Sequence, residues 1–148
     1  MSMFKRYKVW LIAAVIFQLL AGLTHSITLF VSPAPSSDAE RQLNEMMRTF
    51  HPELDPWFHP SFADLVIALS SCFTFVCLLG GLTLGYMLLK HAEPRLVRGL
   101  TAINLFVFGV LLTVVLWFAF IIPVAFIALI FVNLLIAFLL MPKDEPAS

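Results

Sequence analysis

The chain has 148 residues, 61% of them hydrophobic and 12% charged, with a mean hydropathy of +0.97. A soluble domain carries about 25% charged residues. The apolar residues here fall into runs long enough to cross a bilayer, so a soluble enzyme module is excluded and a single membrane domain over 1–148 is predicted. Nine Lys and Arg balance nine Asp and Glu; net charge therefore points to no nucleic-acid partner, and the information lies in where the charges sit.

Residues 1–8 form a short basic tail with Lys5, Arg6 and Lys8. The first predicted span is 9–31, with Tyr7 and Trp10 suited to an interfacial aromatic belt. The start resembles a signal peptide, but its apolar stretch is too long and no A-x-A site follows, so cleavage is not expected. Gln18 lies near the middle of this span and Gly-Leu-Thr-His-Ser, 22–26, near its far end.

The segment 32–61 is predicted to be external. Ser-Pro-Ala-Pro-Ser-Ser opens it as a loop. Ser37 and Glu40 fit a capping box, and Leu43, Met46, Met47 and Phe50 follow as one apolar stripe. The pattern predicts an amphipathic helix on the outer membrane surface or over the helix ends, stopped by His51-Pro52. His51-Pro52, Asp55-Pro56 and His59-Pro60 each force extended backbone before the proline. Trp57 and Phe58 suit the outer interface.

Ser61 and Asp64 form a second capping-box pattern, opening a predicted span at 62–89, about 42 Å long if fully helical. Ser70, Thr74, Cys77, Gly81 and Gly85 recur every three or four positions and make a stripe of small residues, the kind that lets another helix backbone approach closely. Cys72 and Cys77 point roughly 140° apart on a helix, so they are read as packing residues. Lys90 to Arg98 is a short connection broken by Pro94. Gly99 to Met141 carries no charge and is about twice the length one crossing needs. It is divided into spans 99–120 and 124–141, with Pro123 as the breaker. Lys143 and a polar tail follow.

Basic residues flank the spans at Lys5, Arg6, Lys8, Lys90, Arg95, Arg98 and Lys143. The segment 32–61 sets only Arg41 and Arg48 against Asp38, Glu40, Glu45, Glu53 and Asp55. Basic residues favour the cytoplasmic side, so both termini are predicted to be cytoplasmic. The fold class is then all-α, a four-helix transmembrane bundle with an external amphipathic helix in its first loop.

Two groups of side chains could carry chemistry. His25, His59 and Asp64 are expected at similar depth near the outer face, where they could hold a ligand: a metal, a proton in transit or a polar head group. Each also has a structural explanation: Asp64 as a helix cap, His59 in the wet interface and His25 bonded to a neighbouring helix. Gln18, Asn104 and Asn133 are the amides within the spans, read as interhelical packing residues or as the lining of a polar pocket. There is no phosphate-binding glycine loop, no G-x-S-x-G and no H-E-x-x-H. The spans hold no deep Asp, Glu, Lys or Arg, so active transport is not expected. No catalytic residue, metal or cofactor is assigned.

At G-L-T-H in the first span, F-H-P-S-F-A-D before the second, and L-S-S-C-F followed by G-G-L within it, the chain resembles a family of small bacterial four-span membrane proteins of unknown function. The resemblance covers roughly residues 9–141. It implies a four-helix fold in a bacterial inner membrane and no particular activity. The chain lacks the C-x-x-C of quinone-linked disulfide enzymes, the charged intramembrane residues of the glutathione-linked family and the paired extracellular cysteines of claudin-like proteins.

The function expected is non-enzymatic: a small integral membrane protein that self-associates or serves as a structural or accessory subunit. Its partners are then the lipid bilayer and either a second copy or another membrane protein. The alternative is a membrane-embedded enzyme or binder of a lipid, quinone or metal using His25, His59 and Asp64. A passive transporter or channel is a third reading.

Overall fold

The computed structural model describes residues 3–31, 34–53 and 56–142, with backbone alone for 3–6. Ser32 and Pro33 of the loop opening, Asp55, Lys143 and the polar tail lie outside the described residues, as do the Lys5 and Arg6 side chains. Five helices follow in order: α1 (Met3–Phe30), α2 (Asp38–Thr49), α3 (Phe62–Leu89), α4 (Pro94–Phe118) and α5 (Ile121–Leu140). Among the described residues there is no strand. Four of the helices, α1 from Tyr7, α3, α4 and α5, are long and apolar enough to cross a membrane.

The helix ends follow from local chemistry. Ser37 is the N-cap of α2, its Oγ accepting from Glu40 N–H at 3.2 Å. The returning half of this box reaches one residue further than the motif implies: the Glu40 carboxylate accepts from both the backbone N–H and the hydroxyl of Ser36, each at 2.6 Å. At α3 the box closes on itself. Asp64 accepts from Ser61 N–H at 3.0 Å and from Ser61 Oγ at 2.7 Å, while Ser61 Oγ accepts from Asp64 N–H at 3.2 Å. The C-terminus of α3 is a Schellman turn. Ala92 N–H bonds Met87 O and His91 N–H bonds Leu88 O, with His91 in the left-handed region at φ 50°.

Pro94 and Pro123 both lie in the first turn of a helix. Pro94 is the first residue of α4, so that helix starts ahead of the predicted span and takes Arg95 and Arg98 into its first turns. Pro123 lies in the first turn of α5, and the chain turns before it, at Ala119 and Phe120, both extended. Early in a helix a proline's missing N–H has no partner to lose, and its fixed φ suits the first turn. The break therefore precedes Pro123 rather than falling on it.

The chain divides into two compact units, Met1–Ala21 with Cys77–Ser148, and Gly22–Val76. In the first, buried residues recur at helical spacing: Leu11, Ala14, Gln18 and Ala21 on α1; Val97, Thr101, Asn104 and Phe108 on α4; Ile127, Ile130, Leu134 and Ala137 on α5. Their outer faces are strongly apolar, with Leu79, Phe106 and Trp117 exposed while Gln18 and Thr101 are fully buried. That inversion is what a hydrocarbon solvent selects, since polar groups cost free energy in lipid and apolar ones do not. Arg98 joins the far ends of this unit. Its guanidinium donates Nη1–H to the carbonyls of Phe138 and Met141, each at 3.1 Å, and lies 4.2 Å from the centre of the Phe138 ring. These are carbonyls at the α5 C-terminus, which lack helical donors and carry the negative end of the helix dipole.

In the second unit α2 buries none of its residues, and its stripe of Leu43, Met46 and Phe50 is exposed. The stretch between α2 and α3 is closed by two bonds: Phe62 N–H to Phe50 O at 2.9 Å, and His51 Nδ1–H to His59 O at 2.8 Å.

Arg98→Ala is expected to destabilise the α4–α5 pair by about 2 kcal/mol, the range for hydrogen bonds to a charged group. Arg98→Lys should recover only part of this, because it loses the planar stack. Thermal unfolding in detergent followed by circular dichroism measures both. A second expectation concerns pH. The Ser36 hydroxyl and N–H hold the Glu40 carboxyl below its ordinary value. A depressed folded pKa stabilises above the unfolded pKa, and that contribution is lost as pH falls. Acidification from about pH 5 to 3, across the carboxylate range, should fray the start of α2, and Glu40→Gln should remove the pH dependence. Amide hydrogen exchange at residues 38–41 reads the effect.

Candidate functional site

Two of the three residues expected at the outer face, His25 and Asp64, have side-chain partners within the second unit, and His59 bonds through its backbone carbonyl. His25, near the end of α1, donates Nε2–H to the carbonyl of Ser70 on α3 at 3.1 Å. Its ring meets Phe73 edge-on, with centroids 4.9 Å apart and planes at 80°. Asp64 is occupied by the Ser61 cap. His59 contributes its backbone carbonyl to the His51 ring. Among the described residues no three His, Cys, Asp or Glu side chains are grouped so that they could hold a metal ion.

Within the first unit, the tightest point lies where α1, α3 and α4 meet at Gly80. A Cβ added there would sit 2.5 Å from Asn104 Oδ1 and 2.8 Å from Gln18 Oε1. Both amide oxygens thus occupy the space that a side chain at Gly80 would need. Asn104 fixes its own orientation by donating Nδ2–H to Leu100 O at 3.0 Å. Asn133 does the same on α5, to Leu129 O at 2.7 Å. Gln18 is fully buried, and neither its Nε2 nor its Oε1 has a hydrogen-bond partner.

The small-residue stripe has identified neighbours. A Cβ on Gly81 would meet Leu19 Cδ2 at 3.0 Å, and one on Gly85 would meet Val15 Cγ1 at 3.4 Å; both lie on α1. Cys77 is fully buried in the same unit. In the second unit Ser70 supplies the carbonyl that His25 uses. Thr74 there is buried, with its hydroxyl unpartnered. The close-approach function of Gly81 and Gly85 is therefore used within the chain, by α1.

Sequence reasoning passed over Gly80. Stripe spacing selects Gly81, and adjacent helical positions differ by about 100°, so Gly80 faces Asn104 and the end of Gln18 while Gly81 faces Leu19 and the Gln18 Cβ. The Gly80-Gly81 pair was the available signal: two successive glycines open two faces of one turn, one toward α1 alone and one toward both α1 and α4.

The groove between the Gly81–Leu89 side of α3 and α1 has a volume of about 760 Å³. It is lined by aliphatic and aromatic side chains including Ile12, Ile16, Leu19 and Tyr86. A smaller pocket of about 190 Å³ lies at the ends of the same helices, with Tyr7, Lys8, His91 and Val97 in its wall. Leu88 belongs to both.

The chain matches no protein-family model, no curated protein and no solved structure.

The contact distances order three substitutions. Gly80→Ala should destabilise by about 1–3 kcal/mol, as overpacking does, because two amide groups must move. Gly81→Ala should cost less, since its contacts with Leu19 and the Gln18 Cβ, at 3.0–3.2 Å, are tight but not as close as those at Gly80. Gly85→Ala meets ordinary contact and gains helix propensity, so it should be neutral or stabilise by up to about 1 kcal/mol. Unfolding midpoints of the three variants in one detergent give the order, and a Gly85→Ala loss equal to that of Gly80→Ala would refute it.

Proposed function

We propose that this chain is a non-enzymatic integral membrane protein, acting as a structural or accessory subunit of a membrane complex or as a self-associating unit. In this reading it lies in a bacterial inner membrane with both termini cytoplasmic. The helix α2 is external and rests its apolar stripe on the headgroup boundary, the usual position of an amphipathic helix with a polar opposite face. The distribution of Lys and Arg supports the orientation. The resemblance to small four-span bacterial proteins supports the compartment.

The observation that carries the reading is the use made of polar side chains in the long helices. His25 is bonded to Ser70 O, Thr101 to Val97 O, Asn104 to Leu100 O and Asn133 to Leu129 O. These four groups are engaged by the chain's own backbone, where a catalytic or transport site would present them to a ligand; Gln18 and Thr74 are buried without a partner. The alternative, a ligand site built on His25, His59 and Asp64, has less support because His25 is bonded to Ser70 O and Asp64 to Ser61. Self-association through Gly81 would require displacing Leu19 of α1, so contact with a second chain is assigned to the other exposed apolar faces.

Native mass spectrometry of the protein released under mild conditions from its own membrane tests this. The expected result is a complex of fixed stoichiometry, with itself or with one other protein, that persists in His25→Ala. A strict monomer with no co-purifying protein would sink the proposal. A bound small molecule or metal lost in a folded His25→Ala variant would favour the alternative.

A further inference from the structure

We infer that the groove between α1 and α3 holds an acyl chain of an anionic phospholipid, whose phosphate is bound at the basic end of these helices by Lys8, Lys90 and His91. The inference rests on geometry within the first unit and is independent of whether the chain has a protein partner.

The groove's extent argues for a lipid. From Gly81 to Leu89 it covers about 12 Å of helix axis, most of one leaflet of a hydrocarbon core about 30 Å thick. A partner's transmembrane helix would seek a seam along the whole core, whereas an acyl chain occupies one leaflet. The volume of about 760 Å³ lies in the range of specific small-molecule sites, about 300–1,000 Å³. Gly81 and Gly85 add no side chains to its wall, and Ile12, Ile16 and Leu19 oppose them across it.

Charge at the groove's end selects the head group. Tyr86 lines the groove, and the Lys90 ammonium lies 5.9 Å from the centre of its ring. Beyond Leu88, which is shared with the groove, the small pocket is walled by Lys8 and His91. Lys8 and Lys90 are both exposed, and among the described residues neither has a carboxylate partner. Glu93, two residues beyond His91 in the connection to α4, is the single acidic residue between Lys90 and Arg98. His91 holds the left-handed position of the Schellman turn, where glycine is the usual residue. A side chain kept there at a conformational cost, in the wall of a pocket, points to a use for the ring. Lys8 and His91 thus share the wall of the small pocket and Lys90 lies beside Tyr86 at the same end of the groove, where the phosphate of a lipid in the groove would lie.

The full chain is incorporated into nanodiscs of equal phosphatidylglycerol and phosphatidylcholine, released into the gas phase, and the retained lipids are counted by native mass spectrometry. The unmodified protein should retain phosphatidylglycerol over phosphatidylcholine. Lys8→Gln and Lys90→Gln should each lower that preference about fivefold, the effect of one lysine near an anionic lipid surface, and the double variant should abolish it. Ile16→Trp, at a half-exposed groove position, should reduce retention of both lipids by filling the groove. Arg48→Gln on α2 should change nothing. Equal retention of the two lipids by the unmodified protein would overturn the inference. So would full preference in the folded double variant, or a dimer that Ile16→Trp dissociates while lipid retention is unchanged.

Discussion

Hydrocarbon offers no hydrogen bonds, and this constraint shapes each part of the chain. A polar side chain in a spanning helix must find its partner in the protein, and the nearest partner is usually backbone. Thr101, Asn104 and Asn133 take the carbonyl one turn earlier on their own helices, and His25 takes one on α3. Apolar side chains gain little from leaving lipid, so association of the helices depends on close van der Waals fit. Gly80 is where that fit is tightest, because two amide oxygens occupy the space that a side chain there would need. Gln18 departs from the rule. It is fully buried with both amide atoms unpartnered, and the buried Thr74 hydroxyl is unpartnered as well.

The same constraint acts differently at the helix ends. The first N–H groups and last carbonyls have no helical partners, and side chains meet the need in distinct ways. Serine and carboxylate boxes serve the starts of α2 and α3. A proline begins α4 and another lies in the first turn of α5, where a missing N–H costs nothing. The end of α3 uses a left-handed histidine, and the end of α5 uses an arginine from α4. The last of these does more than cap. It ties the beginning of α4 to the end of α5 at 3.1 Å, so the antiparallel pairing of the two helices is held by a charged hydrogen bond as well as by packing.

Features governed by local rules were legible in the sequence. The four apolar helices followed from hydropathy and length, and α2 from its stripe and its Ser37 cap. Features that depend on which helix faces which were not. Nothing in the spacing of Arg98 announces a bond to carbonyls 40 and 43 residues away. The choice between Gly80 and Gly81 is a rotation of about 100°, set by neighbours rather than by the stripe. His51 and His59 share the same His-Pro pattern, yet one presents its ring and the other its carbonyl, a difference fixed by how the stretch between α2 and α3 closes. The turn before α5 was displaced from Pro123 because proline was read as a breaker where it lies in the first turn of a helix.

A small-residue stripe on a spanning helix is often taken as a sign of association with another chain. In a protein with several spans the first claim on such a stripe comes from the chain's own helices, which are tethered and so at high effective concentration. Here α1 takes Gly81 and Gly85, and the stripe is spent on folding. What remains open beside it is the groove that the same glycines help to create. Its apolar wall runs toward Lys90 and adjoins the pocket of Lys8 and His91. Where α1 and α3 meet closely they exclude lipid. Where their ridges part, over the last turns of α3, the groove stays open beside a basic end, and an ordered lipid can fill it without displacing any contact that the fold needs.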